Sequence, residues 1–191
     1  MKTKMARLIC VLGAIVVLGT ARPSSGEDAV RSPYAGQETR PIKALSQDEI
    51  VGLRNGDGMG FAKAAELNGY PGPAHVLALS QQLRLSAQQL DAATAIRERM
   101  AAAARALGAE IIEHEAGLDR LFAQRDIDSK GLTTTTAQIA ALQGRLRDVH
   151  LAAHLEMRGI LTAEQIARYA SLRGYADSMP PDHGHMSGHH H

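Results

Sequence analysis

Tryptophan is missing from the 191-residue chain, cysteine occurs once, and the only other aromatic residues are four tyrosines and two phenylalanines. A single cysteine, Cys10, excludes an internal disulfide framework. A core short of aromatic side chains must be built from Leu, Ile, Ala and Met, which suits helices packed closely together. No stretch alternates apolar and polar residues as a half-buried strand would. Neither sign of charge dominates, with 21 basic and 20 acidic side chains. Long apolar runs are lacking too: the longest, residues 8–18, falls short of the roughly 20 residues that span a bilayer. It follows Lys2, Lys4 and Arg7 and precedes the polar Thr20-Ala21-Arg22-Pro23-Ser24-Ser25-Gly26, so residues 1–26 are read as a signal peptide, with export to the periplasm expected. Cys10 would leave with that segment. The remaining chain would carry 17 basic and 20 acidic side chains, a net charge of about −3, so nucleic acid is not an expected partner.

What is present is helical punctuation. Leu85-Ser86-Ala87-Gln88-Gln89 and Leu161-Thr162-Ala163-Glu164-Gln165 are two copies of one pattern, a hydroxyl residue followed three positions later by glutamine. That spacing forms a capping box, in which the hydroxyl binds the first turn and the glutamine reaches back to the cap's own N–H. Ser46 with Glu49 forms a third, ahead of a short helix stopped by Asn55-Gly56-Asp57-Gly58. A second short helix is expected over residues 61–67. After Gly69-Tyr70-Pro71-Gly72-Pro73, a third begins at Pro73 and runs to about residue 83. Apolar residues at helical spacing predict a long helix over residues 86–124 and another over 135–159, separated by a turn at 126–134, with a last helix to residue 172. Facing stripes (Met100, Ala104, Leu107 and Ile111 against Leu142, Leu146, Val149 and Ala153) predict an all-α fold whose two long helices close as an antiparallel hairpin, flanked by short helices. Residues 27–44 are read as a flexible arm, 45–176 as the folded domain and 177–191 as a histidine-rich disordered tail.

On its two LTxxQ-like patterns the chain resembles the periplasmic Spy/CpxP-like family, which includes zinc-resistance-associated and heavy-metal-sensor proteins. The first copy carries serine where the family pattern has threonine, which keeps the hydroxyl. The resemblance implies a cradle-shaped homodimer in the envelope stress response. It would act as an ATP-independent chaperone for unfolded clients, as an adaptor, or as a heavy-metal sensor signalling to a membrane-bound regulator.

Histidines carry the chemistry. His150 and His154, four apart, project from one helix face within reach of one metal ion, and Met157 lies on the next turn as a soft ligand. With the turn centred near Lys130, Glu110 falls level with His150, and His114 lies on the same facing stripe, giving mixed nitrogen and oxygen ligands. The competing reading makes His150 a core-edge histidine bonded to a carboxylate and leaves His154 in water. His75 heads its helix after the Pro-Gly turn, where the resemblance to the metal sensors makes it a ligand. Alternatively, its ring closes the turn. His183, His185, His189, His190 and His191 form a tail able to hold zinc, copper or nickel weakly, as a metal buffer or as an expression tag. A transition-metal ion (Zn, Cu, Ni or Co) is thus the expected cofactor, without being needed for folding.

No enzyme is expected. His114-Glu115 has no second histidine at zinc-protease spacing, and the helical segment between His150 and His154 lacks the glutamate base. Asn55, Asp57, Gly60 and Glu66 match part of a calcium loop, but Met59 stands where an oxygen ligand belongs. Gly56, Gly58 and Gly60 follow no strand, and no serine sits in a nucleophile elbow.

Overall fold

The computed structural model describes residues 31–175. The expected signal peptide and the histidine tail lie outside the described residues. The chain divides into two units, residues 1–36 and 37–191. Of the first, the described part is a tight turn in which the Ala35 N–H donates to the Ser32 carbonyl.

The second unit is all-helical, with no strand among the described residues. Its elements are α1 (Gln47–Asn55), α2 (Lys63–Glu66), α3 (Pro73–Ala78), α4 (Ala87–Gln124), α5 (Ser129–Ile160) and α6 (Ala163–Leu172). No helix among the described residues is long and apolar enough to cross a membrane. The long pair, α4 and α5, packs side by side, with residues early in α4 meeting residues late in α5, as the Arg99–Glu156 ion pair shows.

The helix starts follow the sequence punctuation closely. Ser46, Ser86 and Thr162 each accept the N–H of the residue three ahead, and each of those residues returns its side chain to the cap's backbone. Gly56 ends α1 in the left-handed conformation, at φ 71°, and Pro73 occupies the first turn of α3. One expectation fails at the loop. Residues 129–134 were read as turn, yet α5 begins at Ser129, because the Asp128 carboxylate caps it through the Gly131 N–H. The threonines that weaken the sequence signal are held locally: Thr133 and Thr136 donate to the carbonyls of Ser129 and Leu132. The stretch read as an arm up to residue 44 is tied down at its end, where Ile42 is buried and Lys43 pairs with Asp119 at 3.2 Å.

Two apolar clusters make the core. One gathers Val76, Leu83, Ala93, Ile96, Ala153, Met157, Leu161 and Tyr169 where α3, α4, α5 and α6 meet. The other joins Leu53 of α1 to Ala104, Leu107 and Ile111 of α4 and Leu142 and Leu146 of α5. Each fully buried Leu or Ile contributes roughly 1.5–3 kcal/mol relative to exposure. At Gly108, α1 and α4 come so close that a Cβ would collide with the Leu53 carbonyl, so only glycine permits this contact. From residue 112 to residue 138 no side chain is buried.

The duplicated motif does more than cap. Gln89 and Gln165 each satisfy their own helix start and also bond one another, Nε2 to Oε1, at 2.8 and 3.0 Å. Gln89 Nε2 further reaches the Ile160 carbonyl at 2.9 Å, and Gln165 Nε2 the Leu83 carbonyl at 3.3 Å. The two copies thus form one clasp, fastening the start of α4 to the start of α6.

Candidate functional site

Beside that clasp, α2, α3, α5 and α6 converge on one carboxylate, Glu66. Gly69, at φ 79°, and the proline-bracketed Gly72 bend the chain back after α2, which brings His75 of α3 over the end of the element that carries Glu66. From α5 comes His154. From α6 comes Tyr169, and from its C-cap comes Arg173, four residues on and therefore on the same face.

Glu66 Oε1 accepts the Tyr169 hydroxyl at 2.6 Å and faces His75 Nδ1 at 3.6 Å and Arg173 Nε at 3.5 Å. Its other oxygen, Oε2, is buried without a hydrogen-bond partner and lies 3.8 Å from His154 Nδ1. The His154 Nδ1 is 2.7 Å from the Tyr70 carbonyl, which can only accept, so we assign the proton to Nδ1 and the lone pair to Nε2. Gly72 shapes the space beside it. A Cβ there would stand 3.0 Å from His154 Cε1, 3.1 Å from His154 Nε2 and 3.3 Å from Glu66 Oε2, so glycine lets the backbone pack closely against both side chains. An open cleft of about 450 Å³ reaches the cluster from solvent, with Met59, Lys63, Glu66, His75, His154 and Tyr175 in its wall.

Electrostatics favours a neutral His75 ring here. Burial, reinforced by the Arg173 charge, holds His75 below the ordinary histidine range even though Glu66 pulls the other way. Burial and the bond to Glu66 push the Tyr169 hydroxyl well above the usual tyrosine range, so it stays a donor. Its oxygen also accepts the Gly72 N–H at 3.4 Å. Arg158 braces the turn, donating to the Gly69 carbonyl at 2.9 Å and lying over the Tyr70 ring at 4.9 Å.

Of the residues singled out from the sequence, His75 and His154 meet here, with Glu66 between them. The others do not join them. His150 is buried and stacks on Phe61 at 5.8 Å, its Nε2 without a hydrogen-bond partner, so it has neither the expected carboxylate nor a place beside His154 in the cleft. Met157 is wholly buried in the core around Val76. Glu110 is exposed, and His114 lines a different cleft with Glu113, Arg120 and Thr135, far along the long pair. The expected register explains the miss. The Arg99–Glu156 pair centres the turn between Ile127 and Asp128 rather than near Lys130, which moves Glu110 out of line with His150. His183, His185, His189, His190 and His191 lie outside the described residues. Among the described residues, no three His, Cys, Asp or Glu side chains already stand at the spacing of a metal-ligand group. The sequence reading weighed Glu66 only as part of a calcium loop, because no fixed spacing links it to His75 or His154; only the fold joins them.

No protein-family model, curated protein or solved structure matches the chain.

Proposed function

We propose that this chain is a periplasmic, metal-responsive stress protein of the Spy/CpxP type, acting without ATP as a chaperone or adaptor, with a transition-metal ion bound at Glu66, His75 and His154. The observation that carries the reading is that the partnerless Glu66 Oε2 and the lone-pair nitrogen of His154 both lie close beside Gly72. A buried carboxylate oxygen without a donor is costly, and a cation would relieve it. One carboxylate and two neutral imidazoles suit Zn, Cu, Ni or Co. The Tyr70 carbonyl would orient the His154 ring as outer hydrogen-bond partners do for metal-bound histidines. Bound there, the ion would cross-link α2, α3 and α5. The same reading has α4 and α5 closing as an antiparallel hairpin and two copies forming a cradle. Exposed Leu90, Phe122, Leu132, Leu155 and Leu172 on α4, α5 and α6 offer apolar surface for a second copy or for clients.

The test is calorimetric titration of zinc, nickel and copper into the chain with its five tail histidines changed to alanine. One ion per chain is expected. Gly72→Ala, whose Cβ crowds both His154 and Glu66 without backbone strain because φ is −84°, should remove the binding, whereas His114→Ala should leave it unchanged. Binding that survives Gly72→Ala and Glu66→Gln but not His114→Ala would move the site to the other end of the long pair.

A dedicated sensor, signalling to a membrane-bound regulator, is the second reading. It is favoured by Tyr169 and Arg173, which connect the same carboxylate to α6 at the end of the described chain.

A further inference from the structure

Arg173 is paired with Glu66 by charge without hydrogen-bonding to it. Its Nε is 3.5 Å from Oε1, yet that nitrogen is buried with no hydrogen-bond partner, while Nη2 lies 3.3 Å from the Tyr175 hydroxyl and the guanidinium sits 5.7 Å from the Tyr175 ring centre. The carboxylate already has a cation next to it, held by charge alone. A metal ion at the same carboxylate would face that guanidinium at close range, and like charges repel. Tyr169 differs. Its hydroxyl is uncharged, stays protonated, and is fixed to both Glu66 and the Gly72 N–H.

Resting on the metal reading above, we infer that a divalent transition-metal ion at Glu66 displaces Arg173 and loosens residues 173–175 while Tyr169 keeps the body of α6 in place. The site is then an exchange between an internal cation and an external one. The link is reciprocal, as any coupling between two binding events must be: whatever holds Arg173 against Glu66 weakens the metal, and removing the guanidinium strengthens it.

The experiment uses the full chain with its five tail histidines changed to alanine, titrated with zinc and with nickel, in three forms: otherwise unchanged, Arg173→Gln and Arg173→Lys. Circular dichroism checks that each is folded. Arg173→Gln should bind the ion about tenfold more tightly than the unchanged chain, within the usual range of coupling between sites. Arg173→Lys keeps the charge and should stay within about twofold of it. Hydrogen exchange in the unchanged chain should quicken at residues 171–175 when the ion is added, and not at residues 163–169. Equal or weaker binding by Arg173→Gln, or slower exchange at 171–175 on adding the ion, overturns the exchange while leaving the metal site standing. If neither the unchanged chain nor Arg173→Gln binds either ion, the metal reading itself falls and the exchange falls with it.

Discussion

The two ends of the long helix pair have opposite characters. Where α4 begins and α5 finishes, α3, α6 and the α2 turn cover the pair. Val76, Ala93 and Met157 are fully enclosed there, a glutamine clasp joins two helix starts, and Glu66 is drawn out of water. Toward the α4–α5 loop no other helix among the described residues covers it, and Phe122 and Leu132 face solvent. The difference shows how a chain poor in aromatics concentrates its stability. Aliphatic side chains enclose a volume only where three or more helices meet, so the end that is covered can hold a buried charge and the end that is bare cannot.

The largest effect that would sharpen this contrast is a pair of truncations. Met157→Ala removes a side chain with no exposure and should cost about 2–5 kcal/mol, through lost burial and the cavity left behind. Phe122→Ala, at a larger residue that is 54 % exposed, should change stability by no more than about 0.5 kcal/mol. Urea denaturation of both variants measures this directly. Similar losses would mean that the bare end is covered in solution, by a second copy or by a segment outside the described residues.

Much of the covered end was legible in the sequence, because helix starts and stops depend on residues three or four apart. The capping boxes at Ser46, Ser86 and Thr162, the proline at the head of α3 and the apolar stripes could all be read without long-range information. What could not be read was anything joining distant residues. The Gln89–Gln165 bonds span 76 positions, and the contacts of Glu66 with His154 and Tyr169 span more, with no periodicity to announce them. The loop was misjudged for a local reason, since four consecutive threonines lower helix propensity while their hydroxyls can still bond back to the preceding turn. A turn placed too late then shifted the register on which the Glu110–His150 pairing depended.

The clasp is the next place to break the comparison. Gln89→Ala and Gln165→Ala each remove one arm of a capping box, and a cap is typically worth ~1 kcal/mol. Each also removes the other's partner. In a double-mutant cycle the pair should therefore be coupled by at least about 0.5 kcal/mol, since residues in one hydrogen-bond network are not additive. Strict additivity would show two independent caps that happen to touch. At the bare end, Asp128→Ala should cost about 0.5–1 kcal/mol and be felt only locally, as faster amide exchange over residues 129–133.

The smallest effect at neutral pH, and the one that separates buried from bare most cleanly, concerns His150. Its folded pKa lies below the ordinary 6.5, first because burial penalises the charged ring and then because of the neighbouring His154. In the unfolded chain the ring takes up a proton near 6.5, while the folded protein resists it, so between those two values the unfolded state binds more protons. Stability from this group is therefore complete above about pH 6.5 and is lost as pH falls through the folded value. His150→Phe keeps the stack on Phe61, removes the partnerless nitrogen and cannot titrate. Its stability at pH 7 should lie within about 1 kcal/mol of the unchanged chain, with a shallower decline toward pH 5. His114→Ala, at the half-exposed histidine of the other end, supplies the control. If His150→Phe declines with acid as steeply as the unchanged chain, the acid sensitivity belongs to other groups, and burial at this end does not govern the titration of His150.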